Sequence, residues 1–404
     1  MSRRSWLNAR AGIKVAVVVT TAAVVSTLLG ACGSGAGDTD EIVIGTIMPL
    51  SGPQEPLSVS SKSMQSYFDR INEAGGISGR SVKLVVRDDQ FNPANTPAVA
   101  RQLVEQDRAV LLCDNQGSGP LRAIAPYLQS KKIPSIAAAG DSSLFTPDST
   151  LFQMLAPYEY AGAHLARYAV EDFHAKRIAI VYSEDGSGLP WRSGALEQLR
   201  AMGVQPVAEV KVNLTAKDQA PAAAALREAG ADFVMFNHTA PIVTQVVRAA
   251  ERIGYTPQWA FNASAMNQQI IDLGGPTING ALFVTQFPAP ASEALAEYRK
   301  ALDTDNPGVD QTDAIAVHGW ISAKLCTDAI ERAMDAAGGK MPTPEQIQAS
   351  IEQTQSDDDL VGGLVWNETE RLGPAAQHIL QLEGHEFIEV QEYRASPHVA
   401  TLTD

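Results

Sequence analysis

Two α/β lobes, each built on a parallel sheet, are the fold this sequence predicts, and three observations carry that expectation. Short β-branched runs alternate with amphipathic helical stretches. The alternation pauses near residue 157 and then restarts. At 404 residues the chain is also longer than one ordinary core encloses. Strands that alternate with helices pair in parallel and are covered on both faces.

In chain order, Ile42 to Ile47 reads as a buried strand that feeds the loop Pro49-Leu50-Ser51-Gly52-Pro53. A helix from Ser58 to Glu73 carries Met64, Tyr67, Phe68 and Ile71 at helical spacing and stops at Gly75-Gly76. Strands follow at Val82–Arg87, Ala109–Cys113 and Ile133–Ala137, with helices at Pro97–Gln106 and Pro120–Ser130. The second round begins with a helix at Tyr158–Phe173. Its strands are Arg177–Tyr182, Val207–Val212, Asp232–Phe236, Trp259–Phe261 and Ala281–Thr285. Its further helices are Trp191–Met202, Ala220–Glu228 and Pro241–Ile253. The tail changes character. Helices are expected at Glu293–Leu302, Ala314–Ala337 and Pro344–Thr354, then strands at Leu364–Trp366, His378–Leu382 and Phe387–Val390, the last two forming a hairpin at Gly384.

The N-terminus speaks to location. Arg3, Arg4, Arg10 and Lys14 precede an apolar run from Val15 to Leu29, which ends in Leu29-Gly30-Ala31-Cys32 and a Gly/Ser spacer. This is the pattern of a secretory signal peptide (residues 1–31) followed by a short tether (residues 32–40). The run is shorter and richer in Ala and Thr than a membrane span of ~20 apolar residues. Cys32 at the first mature position resembles a bacterial lipobox, whose sulfur carries lipid. Ser2-Arg3-Arg4-Ser5-Trp6-Leu7 also fits a twin-arginine signal, with Trp6 where Phe is usual, so both export routes stay open.

Composition excludes more than it selects. The net charge is −15, and removing residues 1–31 takes four basic residues and no acidic ones. Such acidity argues against nucleic acid and against a polybasic hold on anionic lipid. With Cys32 lipidated, Cys113 and Cys326 remain, and their spacing does not fix whether they pair. Seven histidines show no metal-ligand spacing, no phosphate loop occurs, and Gln116 breaks the G-x-S-x-G elbow around Ser118. Asp88-Asp89 and Asp357-Asp358-Asp359 have no evident partner acid. No catalytic residue, metal or cofactor is expected.

Ligands of open parallel sheets sit beyond the carboxyl ends of the strands. Three loops there are rich in small polar residues: Ser51–Glu55, Asp114–Gly119 and Ala138–Ser143. Their glycines permit close approach, and helix-start N–H groups suit a carboxylate.

At these residues the sequence resembles the leucine/isoleucine/valine-type solute-binding proteins of ABC importers, which have the type I periplasmic binding fold. The resemblance runs from about Ile42 to Tyr393. It rests on Ile44-Gly45 through Pro53, on Ile71-Asn72-Glu73-Ala74-Gly75-Gly76-Ile77-Ser78-Gly79-Arg80, on Val85–Gln90 with Asn92-Pro93, on Arg177–Tyr182 and on Gly363-Leu364-Val365-Trp366. It implies two Rossmann-like lobes that close on a ligand about a three-crossing hinge, with crossings near Pro157, Phe287 and Gly373. Residues 41–157 plus 288–373 would form one lobe and 158–287 plus 374–404 the other. By the same resemblance Ser118, beside Gly117, falls where a serine holds the ligand carboxylate. Ala139, Gly140 and Asp141 fall on a stretch that grips carboxylate and amine, with Asp141 in place of Thr. Ser187 replaces an aromatic, Thr239 or a neighbour replaces a Tyr, and Asn262 replaces the acid that meets an α-amino group. Gln54, Tyr158, Glu159 and His238 are further lining candidates. The expected partners are a small polar solute, a membrane permease and the membrane itself through Cys32, with the protein a monomer. Sensing through a membrane kinase or chemoreceptor is the alternative reading, and an exported hydrolase the weaker one.

Overall fold

The computed structural model describes residues 41–139, 141–216, 218–356 and 359–397, so the export signal, Cys32, the tether, Gly140, Asp357 and Asp358 lie outside the described residues. The first sheet contains β1 (Glu41–Met48), β2 (Ser81–Asp88), β3 (Leu111–Gln116), β4 (Ser135–Ala139) and β5 (Leu151–Gln153). Helices α1 (Val59–Glu73), α2 (Thr96–Arg101) and α3 (Ser118–Lys131) connect its strands. The second round supplies α4 (Tyr158–Glu171), β6 (Ile178–Tyr182), α5 (Gly188–Ala201), β7 (Ala208–Lys211), α6 (Ala220–Glu228), β8 (Phe233–Phe236), α7 (Ala240–Arg252), β9 (Gln258–Asn262), α8 (Gln268–Gly274) and β10 (Leu282–Thr285). Then come α9 (Ala296–Asp305), α10 (Ala314–Ala336), α11 (Pro344–Ile351), the short pair β11 (Gln355–Ser356) and β12 (Leu364–Val365), and the hairpin β13 (Ala376–Glu383) and β14 (Glu386–Ala395).

The first sheet has the order β2-β1-β3-β4-β5 with every pairing parallel. The parallel part of the second runs β7-β6-β8-β9-β10, which is the same 2-1-3-4-5 winding repeated. The β13–β14 hairpin adds antiparallel strands beside β10. This is the α/β architecture the alternation predicted, with the restart visible as a second sheet.

In such a winding the connections leave opposite ways from the strands at the reversal point, so a crevice opens at their carboxyl ends. Here the reversals fall between β1 and β3 and between β6 and β8. The segment after β10 returns to the first sheet: Leu295, Tyr298, Trp320, Ile321 and Trp366 share one core with Ile42, Ile44, Leu111 and Phe152. Every residue from Ala314 to Ala323 is buried, because α10 packs on α1 along one side and on β3 and β4 along another. Cys326 of α10 is bonded to Cys113 of β3, which resolves the question their spacing left open.

Candidate functional site

A cavity of about 270 Å³ lies where the two reversal points meet. That is near the small end of the ~300–1,000 Å³ range typical of small-molecule sites. From the first sheet it receives Gln54 and Leu57 after β1, Phe91 after β2 and Gln116–Gly119 at the end of β3. From the second it receives Asp185–Ser187 after β6, Asn237–Thr239 after β8 and Asn262–Ser264 after β9. Leu155, Ala156, Gln286 and Phe287 line it from the connecting segments, and Ala314, Ile315 and His318 from α10.

The turn from β3 into α3 passes through Gly117 at φ +89°, and a Cβ there would lie 2.5 Å from the Phe91 ring. Only glycine satisfies both demands. The first backbone N–H groups of α3, at Ser118 and Gly119, belong to the set that has no intrahelical acceptor, and both residues border the cavity. Across the gap, the Ser118 hydroxyl donates to the Gly186 carbonyl at 3.2 Å. A Cβ on Gly186 would sit 2.5 Å from both Cβ and Oγ of Ser118. The two rims therefore touch at a point where one side has no side chain.

Asp185 is the one carboxylate on the cavity wall among the described residues. Its Oδ1 accepts from Ser187 N–H (2.9 Å), Ser187 Oγ–H (2.8 Å) and Gly188 N–H (2.8 Å), which anchors the start of α5. Burial pushes this carboxyl up, but these hydrogen bonds outweigh it and hold the group below the usual carboxylate range. Burial, and after it the field of Asp185, pushes the Tyr158 hydroxyl up, so the phenol stays neutral. Burial pushes His238 down, only partly offset by Asp185. Because His238 Nδ1 accepts from Thr239 N–H at 2.9 Å, the neutral ring carries its proton on Nε2 as a donor.

A second seam joins the rims at α10. Ala314 N–H donates to the Met266 carbonyl at 2.9 Å, and Gln268 N–H at the head of α8 donates to Asp310. Asp313 caps α10 through Ile315 N–H at 2.8 Å. Burial pushes the Asp313 carboxyl up to about 7; the Ile315 N–H hydrogen bond opposes it, repulsion from Asp310 adds to it, and His318 exerts a smaller opposing pull. A carboxyl raised in the folded state contributes stability that is complete below about 4 and is lost as pH rises through about 7. Asp313→Asn, which keeps the cap, is therefore expected to raise the melting temperature at pH 8 and to flatten its decline between pH 4 and 7. Calorimetry across that range checks the sign.

Of the residues singled out from sequence, Gln54, Gly117, Ser118, Tyr158, Ser187, His238, Thr239 and Asn262 meet at the cavity. Asp141 does not line it: its carboxylate pairs with Arg122 and accepts from Ser143 N–H and Oγ–H. Glu159 is also off the wall, accepting from Ser142 Oγ–H at 2.8 Å, and its burial pushes the carboxyl up. Ala139 closes β4. Asn262 caps the next short turn through Ser264 N–H at 3.0 Å.

Sequence reasoning missed Asp185, Gln286 and His318. Asp185 lies two positions before the singled-out Ser187, with no motif of its own to mark it. His318 reads as a helix-core residue, and its partner Asp114 lies 204 positions away. Asp114, His318 and Ser322 do come together, yet not as a nucleophile and base: the Ser322 hydroxyl donates to Asp114 at 2.8 Å, and Ser322 is fully buried. Among the described residues no group of His, Cys, Asp and Glu is arranged to hold a metal, and no helix is long and apolar enough to cross a membrane.

The family model described as periplasmic binding protein matches residues 41–384. The chain belongs to the periplasmic binding protein family. Among its relatives, an amino acid binding protein of Pseudomonas aeruginosa is 25% identical over 251 aligned positions, covering 58% of this chain and 64% of that protein. A Leu/Ile/Val-binding protein homolog 1 of Brucella abortus is 19% identical over 81% of this chain and 86% of its own length. The chain thus spans slightly under two thirds of the first of these relatives. Among solved structures, a branched chain amino acid ABC transporter protein from Thermus thermophilus with bound valine superposes with a TM-score of 0.80 at 20% identity, covering 89% of this chain and 97% of that one. A fatty acid ABC transporter substrate-binding protein from Thermomonospora curvata gives 0.76 at 19% identity, covering 90% and 94%. At these identities the superpositions establish the type I periplasmic binding fold that the sequence motifs suggested.

Proposed function

We propose that this periplasmic binding protein is an extracytoplasmic, lipid-anchored receptor that encloses a small polar solute between two lobes and delivers it to an ABC importer. The solute class is an amino acid or a related amide or acid. The observation that carries the reading is the pair of opposed strand-order reversals closing on one small cavity, with Ser118 touching Gly186 across the gap. Residues 41–157 with 288–373, and 158–287 with 374–404, are the proposed lobes. Ligand selects the closed arrangement, and the permease reads it. Gln54, Gly117, Ser118, Tyr158, Ser187, His238, Thr239 and Asn262 are the proposed contacts, with the α3 start taking a carboxylate. The amino acid binding named for the Pseudomonas relative and the valine in the Thermus structure support this class; the fatty acid of the Thermomonospora protein marks how far the fold strays from it.

The test is a thermal-shift screen of amino acids, amides, sugars and aromatic acids. A ligand at 100 times its Kd is expected to stabilise the native state by ~2.7 kcal/mol. Ser118→Ala should weaken a carboxylate ligand by on the order of tenfold or more, as expected for a hydrogen bond to a charged group of ~1.5–3 kcal/mol, while ligand-free melting stays the same. An equal loss of ligand-free stability would make Ser118 structural. In cells, Cys32→Ser should move the protein from the membrane to the soluble fraction, and continued sedimentation with membranes would remove the anchor from the proposal.

A further inference from the structure

Asp114 sits at an irregularity in β3, where the register with β4 shifts between Cys113 and Asn115, and its backbone is left-handed at φ +58°. A bulge of this kind turns a side chain to where the regular pleat would not send it. The fully buried carboxylate meets α10: Oδ1 accepts from Ser322 Oγ–H at 2.8 Å and lies 3.1 Å from His318 Nδ1, while Oδ2 has no hydrogen-bond partner. The neighbouring Cys113–Cys326 bond fixes β3 against α10 beside this contact. His318 is itself only 4% exposed, and among the described residues it is the one member of the group that reaches the cavity wall. With Nδ1–H directed to Asp114, the ring presents Nε2.

Gln286 also borders the cavity, where the chain leaves β10. Its Oε1 accepts from Ala156 N–H at 3.2 Å, which fixes the amide orientation and leaves Nε2 as a buried donor without an acceptor. The same cavity wall also carries the apolar side chains of Leu57, Leu155, Phe287 and Ile315. A purely aliphatic ligand body would leave these buried polar atoms unpaired.

We propose that His318, oriented by Asp114, determines specificity together with Gln286 by pairing with a hydroxyl or carboxamide on the body of the ligand. Either group accepts from the Gln286 amide and pairs with imidazole Nε2 whichever of the two carries the proton. The ligand class is thus a small acid with a second, neutral polar group, rather than a branched aliphatic amino acid. The inference rests on the solute-receptor reading above and narrows it.

Isothermal titration of the purified protein against matched pairs tests it: valine with threonine, leucine with asparagine, benzoate with 4-hydroxybenzoate. The wild type is expected to favour the polar member of a bound pair by about tenfold, or ~1.4 kcal/mol. His318→Leu should erase or invert that ratio, and His318→Gln, which keeps a hydrogen-bonding amide, should retain part of it. A structural role alone would change both members equally, so an unchanged ratio in His318→Leu overturns the proposal. So does a wild type that prefers the apolar members, a result that holds even if His318→Leu fails to fold. If no member of any pair binds the folded wild type, the receptor reading for this class falls, and the narrower inference falls with it.

Discussion

Gly186→Val is expected to abolish tight ligand binding while leaving the ligand-free protein nearly as stable as before. The added Cβ would begin 2.5 Å from Cβ and Oγ of Ser118, well inside contact distance, and a Ser Cβ cannot swing away as a long side chain tip can. The clash exists only when the rims meet, so parting the lobes relieves it. A receptor held open loses the contacts that one rim makes to the ligand, and a fall in affinity on the order of 100-fold, ~2.7 kcal/mol, follows from that loss. Gly186 does not occupy the left-handed region that favours glycine, so the loop itself tolerates a side chain. Two measurements check the argument: calorimetric titration for affinity, and small-angle scattering with saturating ligand, where the variant should fail to contract. Wild-type affinity in Gly186→Val would mean the Ser118–Gly186 contact is incidental to binding.

Replacing Cys113 and Cys326 together by Ser should cause a large loss of stability. The bond spans a separation of 213 residues. In the chain-entropy description a loop of that length contributes about 5 kcal/mol by restricting the unfolded ensemble. Both sulfurs are fully buried beside the main core of the first sheet, so the serines would also place unpaired hydroxyls there. Denaturant unfolding of oxidised wild type, reduced wild type and the double variant measures the effect. Equal midpoints for all three would show that α10 is held to β3 by packing alone.

The strands and helices of the repeating units were legible because each joins a β-branched run or an apolar helical face to a turn signal. What escaped was short or non-local. The strand Leu151–Gln153 has three residues, and Gln355–Ser356 has two, too few for a period to register. At the site, Ser118 and Gly117 were readable from a Gly/Ser loop at a strand end, which is a local signal. Asp141 was singled out by the same logic, but Arg122 of α3, 19 positions away in sequence, pairs directly with its carboxylate. His318 is the reverse case: its surroundings on α10 are apolar in sequence, and the acid it meets, Asp114, comes from strand β3.

The return of the chain to its starting sheet sets an order of events at birth. Strands β1 and β3 have no complete core until Tyr298, Trp320 and Trp366 arrive, and Cys113 waits more than two hundred residues for its partner. A polypeptide emerging amino end first therefore leaves both sheets unfinished until its last segments arrive, because Leu380 and Phe387 of the closing hairpin complete the second core just as Trp320 and Trp366 complete the first. Until then an exposed thiol and an uncovered apolar face need protection from strangers, and truncation anywhere before Cys326 strands both.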